Sequence, residues 1–458
     1  MKSQLFSLPD VLIGLIWLII LLLLSHFIAQ KKKDAGEENQ FYLLNVYFKF
    51  TLVFAFSMVY ALMYGGGDTF AYYQGSDILN NLFFVDPGGY VNEIAAESNK
   101  YYSNFNAASG YPPGWIYRED ESYFISKILS LLMFIGFKSY WAISMMLAFI
   151  MANVNYQLFS YISKQKFLSK PLIAFAILFI PSVSFWCGGI SKDTIVYIAI
   201  LLGTTSSLRM INKEKSIFSL NTIYLCVAIF LLAEIRTFLL LSLLIPLFFA
   251  LTTRVTASLK SQPLLKFSLR LIFFTFGIGV ISFYLTNSQS FGALSSDNII
   301  NEAAVIQQDF AQNKSYGADR YQLGIEDYST TGLISVAPQA IIAGIYRPFP
   351  WDSTNVALIP NLLEGITLLF LTIFTILKKN FLQRIRFIRQ NEILVFSFFF
   401  ILILAFMTGF SSGLYGVLVR LRAPLLPFAF LLLLSAVYGN YKDVKDGTDI
   451  LNTKPKQS

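Results

Sequence analysis

The chain has 458 residues, of which 55% are hydrophobic, 16% aromatic and only 14% charged. Soluble globular proteins carry about 25% charged residues. The composition therefore excludes an ordinary soluble enzyme, a nucleic-acid-binding protein and a disulfide-stapled scaffold. Mean hydropathy is +0.58, and apolar runs of about 17–25 residues recur along the chain, as in multi-span membrane proteins. The net charge of +8 then needs an explanation other than nucleic acid.

The apolar runs predict an all-α, polytopic integral membrane protein with about 11 transmembrane helices. We expect one transmembrane domain over residues 1–440, followed by a polar cytoplasmic tail at 441–458. Two runs, 122–137 and 333–346, are too short for a clear crossing and could be re-entrant or interfacial helices. The predicted spans are 9–29, 41–63, 139–162, 171–187, 190–209, 217–234, 237–254, 267–286, 354–378, 392–410 and 413–438.

The basic residues predict the orientation of these spans. Lys31, Lys32 and Lys33 follow the first span, so the positive-inside rule places that loop in the cytoplasm and the N-terminus outside. Most Lys and Arg residues, Lys49 among them, then fall on the inner side, which explains the net positive charge as a topology signal. Two long loops, about 65–121 and 287–353, fall outside. Both are rich in Tyr, Trp and Pro, which favours ordered, functional loops.

The stretch Gly-Gly-Gly-Asp-Thr-Phe-Ala-Tyr-Tyr leaves the second predicted span at the outer surface. Its carboxylate, Asp68, is a candidate general base or a ligand for sugar hydroxyls. Its alternative role is to cap the helix that follows. Tyr72 in the same stretch is a candidate substrate-binding residue.

Two tight outer turns each carry a cation. Lys192 follows Ser191, which can cap the next helix, and it could hold a phosphate as a point charge. The alternative is a lysine that extends along the helix to the membrane surface. Arg236 lies between two spans and could bind an anionic substrate, or pair with Glu234 or with a neighbouring hairpin.

Arg420 and Arg422 lie several residues inside the last predicted span. An ionised side chain costs about 2.5–3.5 kcal/mol at a helix centre, so both need an anionic partner, either a protein carboxylate or a ligand phosphate. Two positions apart, they point in different directions on a regular helix. Glu364, inside another span, needs a polar neighbour, for which either arginine is a candidate.

The second outer loop ends in Tyr-Arg-Pro-Phe-Pro-Trp-Asp, which contains Arg347 and Trp351. An arginine beside aromatic rings suits a phosphosugar, but the same residues are typical of an interfacial aromatic belt. Arg320 in this loop is a further candidate, or a solvated loop charge. Together, these residues predict a cationic, aromatic-lined cavity at the outer leaflet, suited to an amphiphile with a diphosphate, a sugar and a lipid tail.

This set of spans, loops and arginines resembles the bacterial O-antigen and exopolysaccharide polymerase and ligase group. The glycine-rich stretch with Asp68, followed by an outer loop and the Glu-Ser-Tyr-Phe hairpin, is similar to the exopolysaccharide branch. The resemblance implies a glycosyltransferase that moves a glycan from an undecaprenyl-diphosphate donor to another lipid-linked unit, without a metal or other cofactor. It also implies that Arg320, Arg347 and Arg420 hold the diphosphate, and that Asp68 contacts or deprotonates the acceptor hydroxyl.

By the same resemblance, the protein would lie in the bacterial cytoplasmic (inner) membrane and take part in surface polysaccharide biosynthesis. Its partners would be a polyprenyl-linked glycan, the bilayer, and a chain-length regulator or other envelope biosynthesis proteins. No nucleic acid is expected.

Two other functions stay open. A GT-C-type glycosyltransferase would use a polyprenyl-phosphate sugar donor, often with a divalent metal, and would need a carboxylate on an early outer loop. The chain has no Asp-Asp or Asp-x-Asp pair there. A transporter or flippase would need charges at mid-membrane depth along a pathway open to both sides.

Overall fold

The computed structural model describes residues 7–34, 39–95, 102–214, 216, 218–257, 319–321, 323, 330–353 and 355–440, with a few residues between 264 and 275. Most of the described residues are helical, with one isolated β-bridge between Arg320 and Leu414. This agrees with the all-α prediction. The predicted span 267–286, much of the second loop at 287–353 and the tail at 441–458 lie largely or wholly outside the described residues.

The first part of the described chain holds twelve helices, and the last part holds six more with two short 3₁₀ turns. The 3₁₀ turns are Val356–Leu358 and Ala423–Leu425. The α-helices are α1 Leu8–Asp34, α2 Asn39–Leu62, α3 Asp68–Val85, α4 Pro87–Ala95, α5 Gly114–Arg118, α6 Asp120–Gly136, α7 Tyr140–Lys164, α8 Lys170–Leu178, α9 Pro181–Trp186, α10 Lys192–Ile211, α11 Leu220–Ile235, α12 Thr237–Ala257, α13 Thr330–Tyr346, α14 Ile359–Leu377, α15 Phe381–Gln390, α16 Glu392–Ser411, α17 Tyr415–Arg422 and α18 Leu426–Tyr438.

Eight helical segments in the described part of the chain are long and apolar enough to cross a bilayer. At 1.5 Å per residue, about 20 residues match the hydrocarbon thickness. Two other predicted spans correspond to shorter apolar helices, at Lys170–Trp186 and Leu220–Ile235. The protein is therefore a multi-pass α-helical membrane protein. The eight segments are α1, α2, α7, α10, α12, Val356–Leu377, α16 and Tyr415–Tyr438.

The predicted span 171–187 is divided between α8 and α9. α9 begins at Pro181, and a proline lacks an N–H and disfavours helical geometry in the residue before it. The carbonyl at the end of α8, that of Leu178, accepts a hydrogen bond from Lys49 Nζ at 2.8 Å. Lys49 also donates to Ser184 Oγ at 2.6 Å. The carbonyl oxygen of Leu178 at this interruption thus gains a hydrogen-bond donor from a side chain of α2.

Lys49, which the topology prediction assigned to the inner side, lies in the middle of α2 and is 1% exposed. We expect Lys49→Met to lower the free energy of unfolding by about 1–3 kcal/mol, because the Leu178 carbonyl and the Ser184 hydroxyl lose a buried donor. Thermal unfolding of the purified protein in detergent measures this change. Lys213→Met, at an exposed position, is the matched control. Equal melting temperatures for the two variants would contradict this role of Lys49.

The chain forms two compact units within the predicted single domain. The first contains Met1–Leu158, Leu178–Gly203 and Ile223–Thr237. The second contains Phe159–Ile177, Thr204–Thr222 and Phe238–Ser458.

In the first unit, α3 packs on α6, and α2 packs on α9 and α1. Two glycines after α9 permit the close approach of α2. A Cβ at Gly188 would lie 2.4 Å from the Val53 side chain, and one at Gly189 would lie 2.3 Å from the ring of Phe56. The segment 65–121, predicted to be an ordered loop, contains α3, α4 and α5 in its described residues.

In the second unit, α13 packs against α16 through small residues. A Cβ at Gly344 would lie 2.2 Å from the Ala405 carbonyl oxygen, and one at Gly409 would lie 2.0 Å from that of Ala340. Small residues at these crossings let the two backbones meet, as in membrane helix pairs. The two helices run antiparallel, so the end of α13 lies beside the middle of α16 and the end of α16 lies beside the middle of α13.

Candidate functional site

The predicted site residues are distributed over both units. Asp68, Tyr72, Lys192 and Arg236 belong to the first unit. The second unit contains the others, namely Arg320, Arg347, Trp351, Glu364, Arg420 and Arg422. Their convergence in one outer cavity stays a prediction, and each group has its own geometry.

A short backbone pairing forms one wall of the site in the second unit. The Tyr321 amide donates to the Gly413 carbonyl at 2.9 Å, and the Tyr415 amide donates to the Asp319 carbonyl at 3.2 Å. The pairing holds the rings of Tyr321 and Tyr415 5.7 Å apart. Burial raises the pKa of Tyr321, so its hydroxyl stays protonated at neutral pH.

Arg347 directly follows α13 and faces this pair of rings. Its guanidinium carbon lies 5.5 Å from the ring centre of Tyr321 and 5.6 Å from that of Tyr415, a cation–π arrangement on both. Its Nη2 donates to Asp352 Oδ1 at 3.1 Å, while Asp352 Oδ2 accepts the Phe349 amide at 2.8 Å. The Arg347 side chain is 30% exposed. The guanidinium is therefore fixed in direction yet accessible to a ligand.

Arg422 holds the backbone next to Arg347 in place through hydrogen bonds. It is fully buried and donates to the carbonyl oxygens of Ile345 at 3.1 Å, Asn361 at 2.8 Å and Arg347. It also interacts electrostatically with Glu364, one of the two pairings that the sequence left open for that carboxylate. Arg422 thereby joins the end of α13 to the start of α14. The substrate contact predicted for it would have to replace these bonds, so the geometry favours a positioning role.

Arg420 differs from Arg422 in its environment, in line with their spacing on a helix. Arg420 is half-buried, whereas Arg422 is inaccessible. α17 gives way to the 3₁₀ turn Ala423–Leu425, which contains Pro424, as expected for a proline that interrupts a helix.

The other predicted residues of this unit lie around Arg347. Trp351 is 78% exposed, and its ring stacks on Phe349 with centroids 5.1 Å apart. Arg320 is exposed on the strand-like segment that pairs with Leu414. Along the chain, Trp351 directly precedes Asp352, and Arg320 directly precedes Tyr321.

In the first unit, the two predicted phosphate-binding cations are paired with carboxylates. Lys192 Nζ lies 3.2 Å from Glu121 and 3.3 Å from Glu119. Arg236 Nη1 lies 2.6 Å from Asp193, whose side chain is buried. Pairing with Glu234 and pairing with a neighbouring hairpin were both predicted for Arg236, and pairing with the hairpin is therefore confirmed.

The helix start at Lys192 is capped as predicted. Ser191 Oγ accepts a hydrogen bond from the Thr194 amide at 3.2 Å, and Asp193 lies in the first turn of α10, where a negative charge is favourable. These contacts make the region a network of ion pairs at a helix start, which holds α10 against the Glu119–Glu121 segment.

Asp68 is the first residue of α3 and is half-buried. The cap position of α3 is Gly67, so Asp68 does not have the capping role predicted as its alternative. A carboxylate in the first turn still stabilises a helix through its charge. Tyr72 is 3% exposed and packs near Trp115, with ring centroids 6.4 Å apart. Because the ring is buried, it offers almost no surface to a substrate. This argues against the binding role predicted for Tyr72.

A buried carboxylate that the sequence did not reveal lies in the first unit. Glu93 is 1% exposed and accepts hydrogen bonds from Tyr123 at 2.6 Å, Asn104 at 2.6 Å and Tyr117 at 3.4 Å. Burial, together with Glu93, raises the pKa of Tyr117. Three neutral donors stabilise the carboxylate and connect α4 to α5 and α6. No local sequence pattern marks Glu93 as buried, because the residues that donate to it are 11 to 30 positions away.

Compared with known protein families, curated proteins and solved structures, the chain matches none. Fold and composition define the class as a multi-pass α-helical membrane protein. Within the described residues, no group of three or more His, Cys, Asp or Glu side chains is placed to hold a metal ion.

Proposed function

We propose that this protein is a membrane glycan polymerase or transferase that acts on an undecaprenyl-diphosphate-linked oligosaccharide in surface polysaccharide biosynthesis. The observation that carries the proposal is the setting of Arg347, which faces two adjacent tyrosine rings and is paired with Asp352 while its side chain is still partly exposed. A guanidinium has five N–H donors in a fixed fork and binds phosphate oxygens in pairs.

The position of Arg347 in the fold fits an amphiphilic donor. It lies where α13 ends and Val356–Leu377, a membrane-length segment, is about to begin. The end of a membrane-spanning helix lies at headgroup level, where the diphosphate of a polyprenyl donor would be. The exposed Trp351 is suited to the sugar side of such a substrate, because an aromatic ring can stack on a sugar face.

The chemistry requires little of the protein. A sugar hydroxyl of the acceptor attacks the anomeric carbon of the donor, the bond from that carbon to the diphosphate oxygen breaks, and the hydroxyl proton passes to a base. Arg347, with Arg320 and Arg420 by the resemblance, would stabilise the charge that develops on the leaving diphosphate. Asp68 would act as the base, which contributes about 10²–10⁴-fold in rate.

The proposal also includes the number of membrane crossings and the side of the membrane on which the long loops lie. The topology comprises 11 crossings, as counted from the apolar runs of the sequence, with loops 65–121 and 287–353 outside the bacterial cytoplasmic membrane. A chain-length regulator or another envelope biosynthesis protein is the proposed partner. The most basic described segment of the second unit, between α14 and α16, lies on the cytoplasmic side in this topology.

The test is a gel of surface glycans and extracted lipid-linked oligosaccharides from a strain that lacks the protein, with the wild-type gene restored as control. Loss of the glycan ladder with accumulation of single complete repeat units is the expected result for a polymerase. A shortened repeat unit would instead identify a transferase that adds one sugar, as in the GT-C alternative. An unchanged glycan profile would refute both.

A transporter is the second candidate, and one observation favours it. Lys49 lies at mid-length of a membrane-length helix and is buried, and ionisable residues at such depth often mark substrate pathways. Accumulation of lipid-linked units on the cytoplasmic side only, measured by their protection from an added glycosidase, would support transport over polymerisation.

A further inference from the structure

The segment between α14 and α16 combines basic and apolar residues in an unusual way. Residues 378–391 contain five Lys or Arg and no Asp or Glu. Ten of these residues form α15, Phe381–Gln390, which connects two membrane-length segments. Because α14 ends and α16 begins at the same membrane surface, α15 is confined to the boundary between water and lipid.

Two of the five basic residues are used inside the protein. Arg384 is buried, and its Nη1 donates to the Ala436 carbonyl at 2.5 Å. Lys378 Nζ donates to the Val437 carbonyl at 3.0 Å. Both contacts satisfy carbonyls in the last turn of α18, where cations are favourable. Together with the buried ring of Phe387, they fix α15 against the end of the helix bundle.

The remaining three basic residues, Lys379, Arg386 and Arg389, are exposed. So are the neighbouring apolar side chains of Leu377 and Leu382, with Leu382 77% exposed. A short helix with exposed arginines and exposed leucines at a membrane boundary has the composition of an interfacial lipid-binding helix. The apolar side chains reach the acyl region, while the guanidiniums remain at the level of the phosphates.

We propose that α15 is a binding site for anionic phospholipid, with Arg386 and Arg389 as the residues that contact the lipid phosphate. The charge of the segment selects the occupant, because residues 378–391, with exposed arginines and no Asp or Glu among them, are complementary to an anionic headgroup. The inference is independent of the proposed function. It uses the end of α14 and α18 opposite to the one that carries Arg347 and Arg422.

The test is native mass spectrometry of the full-length protein in detergent, titrated with phosphatidylglycerol or with phosphatidylcholine. Each basic residue near an anionic surface contributes about fivefold in affinity. We therefore expect Arg386→Gln/Arg389→Gln to bind phosphatidylglycerol about 30-fold more weakly. Phosphatidylcholine binding is expected to be weak and unchanged by the substitutions. Both arginines are exposed, so the variant is expected to fold as wild type does.

Two further variants test whether the loss of affinity depends on the charge and on the position of these arginines. Arg386→Lys/Arg389→Lys retains the charge and is expected to retain the preference for phosphatidylglycerol. Lys164→Gln/Lys213→Gln removes two exposed cations elsewhere in the chain and is expected to bind phosphatidylglycerol as wild type does. Wild-type affinity in the Arg386→Gln/Arg389→Gln variant would overturn the proposal. An equal loss in the Lys164→Gln/Lys213→Gln variant would also overturn it, because general surface charge would then explain the binding.

Discussion

Arg347→Ala is expected to abolish glycan polymerisation while leaving the protein folded and in the membrane. The substitution removes the guanidinium that faces the adjacent rings of Tyr321 and Tyr415, and with it the proposed charge stabilisation of the leaving diphosphate. Loss of one such donor costs about 10²–10³-fold in rate. The glycan ladder of cells that carry the variant, together with the amount of membrane-inserted protein, measures the effect.

Arg347→Lys separates charge from geometry. A lysine keeps the charge but loses the planar fork, so we expect activity between those of the wild type and Arg347→Ala. Arg118→Ala, an exposed arginine of the segment 65–121, is the matched control and is expected to make a normal ladder. An Arg347→Ala variant with a normal ladder would remove Arg347 from the mechanism, and the proposed function would lose the observation that carries it.

Arg422→Met is expected to lower the free energy of unfolding by about 3–5 kcal/mol, the usual cost of breaking a buried charged network on one side. The three carbonyl oxygens that accept from Arg422 lose their donor, and Glu364 loses its positive neighbour. Methionine has a side chain of similar length, so the missing donors, and not a cavity, account for the loss of stability. Thermal unfolding in detergent and the yield of monodisperse protein measure it.

The double variant Arg422→Met/Glu364→Gln tests the electrostatic part of this prediction. If Glu364 is destabilised by the loss of its cation, neutralising it should restore part of the lost stability. Arg118→Met is the control, since an exposed arginine is expected to contribute within about 0.5 kcal/mol. Melting of Arg422→Met at the wild-type temperature would show that the three carbonyls find other donors, and would return Arg422 to the list of substrate-binding candidates.

Several contacts of single residues could be predicted because they depend on neighbours in sequence. The cap at Ser191, the interruption of the last span at Pro424, and the different environments of Arg420 and Arg422 follow from local backbone geometry. That Glu364 would interact with Arg420 or Arg422 was also predictable, because a charge inside a membrane-length helix needs an opposite charge close by; which of the two it meets, Arg422, was not.

The roles of single cations could not be predicted in the same way. Lys192 was predicted either to hold a phosphate or to extend to the membrane surface, and it is paired with Glu119 and Glu121. Lys49 was assigned to the inner side and is a buried donor to the carbonyl that ends α8. The partners of each come from segments about 70 or more positions away, so only the packing of the helices decides which acceptor each cation meets.

By itself, the sequence determined the class of this protein, because hydrophobicity and run length act locally and force a helix wherever backbone groups enter lipid. Only the tertiary structure decided which cations are used to hold the fold and which stay accessible. Arg422 and Arg347 are both arginines beside a membrane, yet one is enclosed by three carbonyls and the other faces two adjacent rings with part of its surface open. That difference arises from long-range packing, which no local pattern of residues encodes.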